Sequence, residues 1–243
     1  MKKIAALFMS ALLAFGLMAC GNTQGDSSIQ QNENAQAVSQ ADETTSSVDT
    51  SVPEKEDMET EGKILVVYFS VPETDSPNNM NIEEENSTVV VAGEVLGNTQ
   101  YVAYLIQENL GSDIFRIEPV TPYPVNHAEL ETVAKLESSD NVLPEISTEI
   151  ESFDQYQTIF IGYPIWYADM PRILYTLFDT YDFSGKTIVP FITSGASGFS
   201  GTLNTIQELE PDAKVITDGY SITRNHMEDA ETEVAEWLSN LSY

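Results

Sequence analysis

The chain has few basic residues and almost no cysteine or histidine. One cysteine, two histidines and ten Lys and Arg stand against 39 Asp and Glu, for a formal net charge of −29. A single cysteine, Cys20, excludes an intramolecular disulfide, Cys-x-x-Cys redox chemistry and a cysteine-rich metal site. So acidic a protein is repelled by phosphate backbones and anionic lipid, which excludes nucleic acid as a partner class. His127 and His226 fall on predicted loops near helix starts and read as surface residues, so no Ser-His-Asp set is expected. Gly195–Ala196–Ser197–Gly198–Phe199 lacks the last glycine of a Gly-x-Ser-x-Gly nucleophile elbow. No residue is assigned as a catalytic acid or base, and none as a metal ligand.

What is present falls into three parts. Met1–Lys2–Lys3 is a short basic start, and residues 4–18 are apolar apart from Ser10 and Gly16. A basic start followed by an apolar run of this length makes a secretory signal, and the run is shorter than the ~20 residues a spanning helix needs. Leu17–Met18–Ala19–Cys20 resembles a bacterial lipobox. The expectation is a signal peptide over 1–19 and lipidation at Cys20, which leaves no thiol for chemistry. Residues 20–62 are rich in Gln, Asn, Ser, Thr, Asp and Glu and cannot offset their ordering entropy by burial. They read as a disordered acidic tether of about 35 Å root-mean-square span. The implied place is extracytoplasmic, with the membrane contacted through the lipid anchor only.

Residues 63–243 carry the folding signals. Five apolar runs read as strands: 63–70, 113–119, 157–164, 186–194 and 213–222. Several are continuous rather than alternating, which suits parallel strands covered on both faces. Helical spacing separates them, over 99–110, 127–136, 170–181, 201–211 and 225–241, with Gly111 as a stop and Asn225 as a cap. Alternation of this kind predicts a doubly wound α/β domain in three α/β/α layers. Ligands in such sheets sit beyond the carboxyl ends of the strands.

Three loops stand at those ends. The segment 97–100, "GNTQ", opens the first long helix, whose free amides and dipole attract an anion. No Gly-Lys-Ser/Thr stands there, so it is not a nucleotide P-loop, and Gly-x-Gly-x-x-Gly is missing. The segment 162–171, "GYPIWYADMP", places Trp166 and Tyr167 where a flat ligand can stack. The segment 193–201, "TSGASGFSG", is small and polar, and lets its backbone approach a ligand closely. An anion cradle, an aromatic and a close-approach loop together suit a planar ring with one phosphate tail.

"ILVVYFS", "GNTQYVAYLI", "IFIGYPIWYADMP" and "DFSGKTIVPFITSGASGFSGT" resemble the flavodoxin-like proteins, in the branch with a Gly-Tyr-Pro-x-Trp motif. The resemblance covers essentially all of 63–243. It implies a five-stranded parallel sheet of order 2-1-3-4-5 and bound FMN. It carries the phosphate loop to Ser70, Gly97, Asn98 and Thr99. It carries the ring-contacting loops to Pro164, Ile165, Trp166 and Tyr167, and to Thr193, Ser194, Gly195, Ser197 and Gly198. Ala196 stands where relatives often have glycine. Residues 71–96 are an insertion between the two halves of the phosphate loop. They are expected to run as an acidic loop and return as a hairpin around Ala92–Gly93, either gating the ring or covering a sheet edge. The implied function is an FMN-binding redox protein: an electron carrier or a quinone- or nicotinamide-linked oxidoreductase. Its partner would be a redox protein or a small-molecule electron acceptor. The alternative is a cofactor-free binding lipoprotein on the same scaffold.

Overall fold

The computed structural model describes residues 62–243; the signal, the lipidation site and the tether lie outside them. The main sheet is built from β1 (Lys63–Tyr68), β4 (Asp113–Arg116), β5 (Tyr156–Pro164), β6 (Thr187–Ser194), β7 (Lys214–Val215) and β8 (Tyr220–Thr223). Its order is β4-β1-β5-β6-β7, with β8 also paired to β6, and every pairing is parallel. This is the expected 2-1-3-4-5 order, with the fifth strand in two pieces.

Pro190 explains the split. The carbonyl of Ile188 accepts from the Ile216 N–H, so β6 residues two apart face this neighbour. Pro190 comes next on that side and has no N–H to offer. The partner chain detaches there and rejoins at Phe191↔Tyr220. Gly219 passes so close to the Pro190 carbonyl that a Cβ would overlap it.

The continuous apolar runs are buried on both faces, as parallel packing requires. Leu65, Val67 and Phe69 join one core with Ile159, Ile161, Ile173, Leu177 and Ile206. Val66 and Tyr68 join the other with Val102, Ile106, Ala230 and Val234. The first core is closed by α4 (Arg172–Thr180) and α5 (Thr202–Leu209), with α3 (His127–Asp140) beside α4. The second is closed by α2 (Asn98–Leu110) and α6 (Ala230–Asn240), which pack together. Asn225 is not a cap: residues 224–229 form a 3-10 turn ahead of α6, and Asp229 precedes the helix. No helix among the described residues is long and apolar enough to cross a membrane.

The insertion has its own structure. A short helix α1 (Ile82–Ser87) is followed by the hairpin β2 (Thr88–Val91) and β3 (Glu94–Gly97). Asn81 Oδ1 accepts from the Glu83 and Glu84 amides while the Glu84 carboxylate accepts from the Asn81 amide, a capping box that starts α1 without any apolar stripe. Ala92 and Gly93, both at positive φ, make the expected two-residue turn. The hairpin forms a separate two-stranded sheet packed against the start of α2, so it does not cover an edge of the main sheet.

Candidate functional site

A cavity of about 480 Å³ opens at the carboxyl ends of β1, β5 and β6. That is within the usual range of small-molecule sites. Of the expected residues, Ser70, Asn98, Thr99, Pro164, Ile165, Trp166, Tyr167, Thr193, Ser194 and Gly195 line it. Gly97 backs it: a Cβ there would overlap Ser70 Oγ, so the two ends of the interrupted loop meet only because this residue is glycine. Ser197 and Gly198 fall outside the lining, further along the 195–201 loop. The chain's one Gly-Lys-Thr triplet, at 185–187, is at the opposite end of β6. There Lys186 is buried and donates to the Tyr156 carbonyl at 2.7 Å.

The floor on the α2 side is polar. Thr99 Oγ1 and Thr193 Oγ1 lie 2.8 Å apart and both are buried. Asn98 donates through its side-chain amide to the Asn86 carbonyl at 2.8 Å, tying α1 to α2. Two buried atoms at the cavity have no hydrogen-bond partner, Asn98 Oδ1 and Ser194 Oγ. An unpaired buried polar atom costs about 1–3 kcal/mol, and both belong to residues that line the cavity. The first amides of α2 receive no cap from the side chain before them, since Gly97 has none.

The opposite wall is aromatic. Trp166 is half-buried and packs edge-on against Phe69 at 5.6 Å and Tyr123 at 5.5 Å. Its neighbour Tyr167 is 49% exposed, with Lys135 Nζ 5.2 Å from its ring centre. Trp166 and Asp169 exchange two backbone hydrogen bonds of 2.9 Å across a turn at Tyr167 and Ala168. Both turn residues have positive φ, +51° and +63°, a conformation that favours Gly or Asn. Buried Tyr163 donates to Thr202 Oγ1 at 2.8 Å, and burial pushes its phenol well above the ordinary range.

Sequence reasoning missed a third wall. Glu73, Glu83, Asn86 and Ser87 of the insertion reach the cavity, as do His127, Leu130, Glu131 and Ala134 on α3, and Arg224. His127 is therefore a cavity residue, whereas His226 is exposed beside Asp229. The His127 Nδ1 lies 2.8 Å from a carboxylate oxygen of Glu73. Burial raises the Glu73 carboxyl above its ordinary value, and the His127 contact pulls it partly back. Glu73 and His127 are 54 residues apart, and no local pattern links them. Asn81-x-x-Glu84 is the capping-box signal in the sequence that could have located α1, and with it this wall.

Residues 88–241 match the family model for flavodoxin. No curated protein sequence matches. Among solved structures, a Bacteroides eggerthii protein classed as a flavoprotein is 26% identical with a TM-score of 0.55, covering 73% of this chain and 96% of its own. A second, from Bacteroides uniformis, is 26% identical with a TM-score of 0.55, over 74% of this chain and 99% of its own. A Lactobacillus acidophilus flavoprotein solved in complex with FMN is 17% identical with a TM-score of 0.49, over 70% of this chain and 99% of its own. The family match covers more than half of the sequence and runs through the whole of α6, and the parallel sheet has the order such a fold requires; the chain belongs to the flavodoxin family.

Proposed function

We propose that the chain binds FMN in this cavity and acts as a redox protein at the outer face of a bacterial membrane. The observation that carries the reading is the pair of buried, unpartnered atoms, Asn98 Oδ1 and Ser194 Oγ, in a cavity with an anion cradle on one side and aromatics on the other. A ligand with a phosphate and a hydroxyl-bearing chain gives both atoms the partners they lack. Ser70, Asn98 and Thr99 would hold the phosphate at the start of α2. Pro164–Tyr167 and Thr193–Gly195 would flank the ring. When bound, FMN supplies the one- or two-electron chemistry.

The chain's part is binding, access and potential. Glu73, Glu83 and Glu131 surround the opening, so added negative charge inside is disfavoured and the flavin potential is held low. The insertion narrows the mouth and admits a small electron acceptor or the edge of a redox partner. The acidic surface suits a partner with a basic face. Anchoring rests on the 1–20 sequence, with Cys20 carrying the lipid.

The test is to add FMN to the purified chain, remove the excess by gel filtration and record the spectrum. A protein peak without flavin absorbance would sink the FMN reading in favour of a cofactor-free binding lipoprotein. For the anchor, Cys20→Ala should move the protein from the membrane fraction to the soluble fraction; unchanged partition would remove the lipid from the account.

A further inference from the structure

We infer that Arg224 supplies the positive charge that holds the FMN phosphate, an inference that rests on the FMN reading above. Among the described residues, Arg224 is the only lysine or arginine that lines the cavity. Five other basic side chains of the domain are engaged: Lys63 with Gln155, Arg116 with Glu118, Lys135 with Glu131, Arg172 with the Val142 carbonyl and Lys186 with the Tyr156 carbonyl; Lys214, on β7, is exposed and away from the cavity. Among the described residues, Arg224 takes part in no ion pair and its guanidinium donates no hydrogen bond. In a domain this acidic, an arginine kept clear of carboxylates at a ligand cavity needs a reason.

Arg224 stands beside the ring-flanking 193–195 loop, and the side of the sheet it occupies points to the phosphate. The sheet separates two sides of the site. Trp166 and Tyr123 pack with Phe69 on the α4 side. Arg224 follows β8 and leads into α6, which shares the other core with α2. The start of α2 is the anion cradle, so Arg224 and the cradle are on the same side. Its guanidinium lies 3.8 Å from where a Gly195 side chain would begin, an ordinary contact distance, so it rests against the backbone at the end of β6. The insertion closes the corner: α1 packs against the 224–229 turn, and Asn86 of α1 accepts from Asn98. Ser194 Oγ, a buried donor without an acceptor, is on the residue before Gly195.

The charge balance asks for such a group. A phosphate monoester carries about −1.5 to −2 at neutral pH. The dipole at a helix start offsets only about half a charge. Glu73, Glu83 and Glu131 at the same opening oppose an anion. A guanidinium, always charged and shaped for phosphate oxygens, offsets the remainder.

The experiment compares FMN with riboflavin, the same ring and ribityl chain without phosphate, by fluorescence titration of the purified chain. Arg224 is exposed and unbonded, so Arg224→Ala should fold as the wild type does. Its FMN affinity should fall about tenfold, the size of one charge-assisted contact, while riboflavin affinity stays within about twofold. Arg224→Lys should fall between, and added salt should narrow the gap between wild type and Arg224→Ala. Equal losses for both ligands would overturn the assignment, as would unchanged FMN affinity in Arg224→Ala. If the wild type takes up neither flavin, the FMN reading fails and this inference with it.

Discussion

Thr99 and Thr193, 94 residues apart, join their hydroxyls at 2.8 Å beneath the cavity and lock the first turn of α2 to the end of β6. Neither hydroxyl is open to solvent, so removing one strands the other. Thr99→Val or Thr193→Val alone should cost about 1–3 kcal/mol, whereas the double variant should cost less than the sum because no orphan remains. Thermal melts of the four proteins measure the coupling. Strict additivity would show that the contact contributes nothing.

His127 should act as a latch on the insertion. It holds Glu73, whose amide also donates to Ser87 Oγ at 3.0 Å. In His127→Ala, amide hydrogen exchange should quicken across 71–87 and stay unchanged in β1, β5 and β6. Small electron acceptors should then react faster with the flavin-loaded protein. Unchanged exchange in 71–87 would mean that the insertion is held by α1 and the hairpin alone.

The turn at Tyr167 and Ala168 stores backbone strain, since two non-glycine residues share the left-handed region. Ala168→Gly should recover up to about 1 kcal/mol. In a domain of this size that raises the melting midpoint by about 2–4 °C. A lowered midpoint would mean that the stiffness of alanine in the unfolded chain outweighs the strain.

Glu210, at the end of α5, is pushed from its ordinary 4.5 up to about 7, by burial first and then by Asp182. The folded protein thus holds this proton more tightly than the unfolded chain does. The stabilising effect of the protonated form is complete below pH 4.5 and is lost as the pH rises through about 7. Glu210→Gln should therefore flatten the fall in melting midpoint over that window and leave the variant more stable at neutral pH. Parallel pH curves for the two proteins would contradict the assignment.

How much was legible in the sequence depended on the kind of interaction. Strands β1, β5 and β6 announced themselves because burial on both faces leaves unbroken apolar runs such as Ile159–Phe160–Ile161. The Ala92–Gly93 hairpin was legible because β-branched runs flank that pair, a local signature of two strands and a tight turn. The helix α1 was not, because Ile82–Ser87 buries no side chain and stands on its cap instead. The break in the fifth strand depended on Pro190 of its neighbour, a cause absent from its own residues. The charged side of the cavity was least visible. Glu73, His127 and Arg224 come from separate elements and meet only through the crossovers.

The excursion from Ser70 to Gly97 leaves and rejoins the fold at a single point, where the serine hydroxyl touches the glycine backbone. Its two strands pair with each other and with nothing in the main sheet. For loop closure it is a segment of nearly zero span, and the entropy of such a loop grows only slowly with its length. Closing the loop therefore asks only that these two ends meet, whatever is threaded between them. Residues 71–96 form an exchangeable cassette at the mouth of a fixed receptacle, and swapping it can alter who gains entry without altering how the open parallel sheet behind it folds.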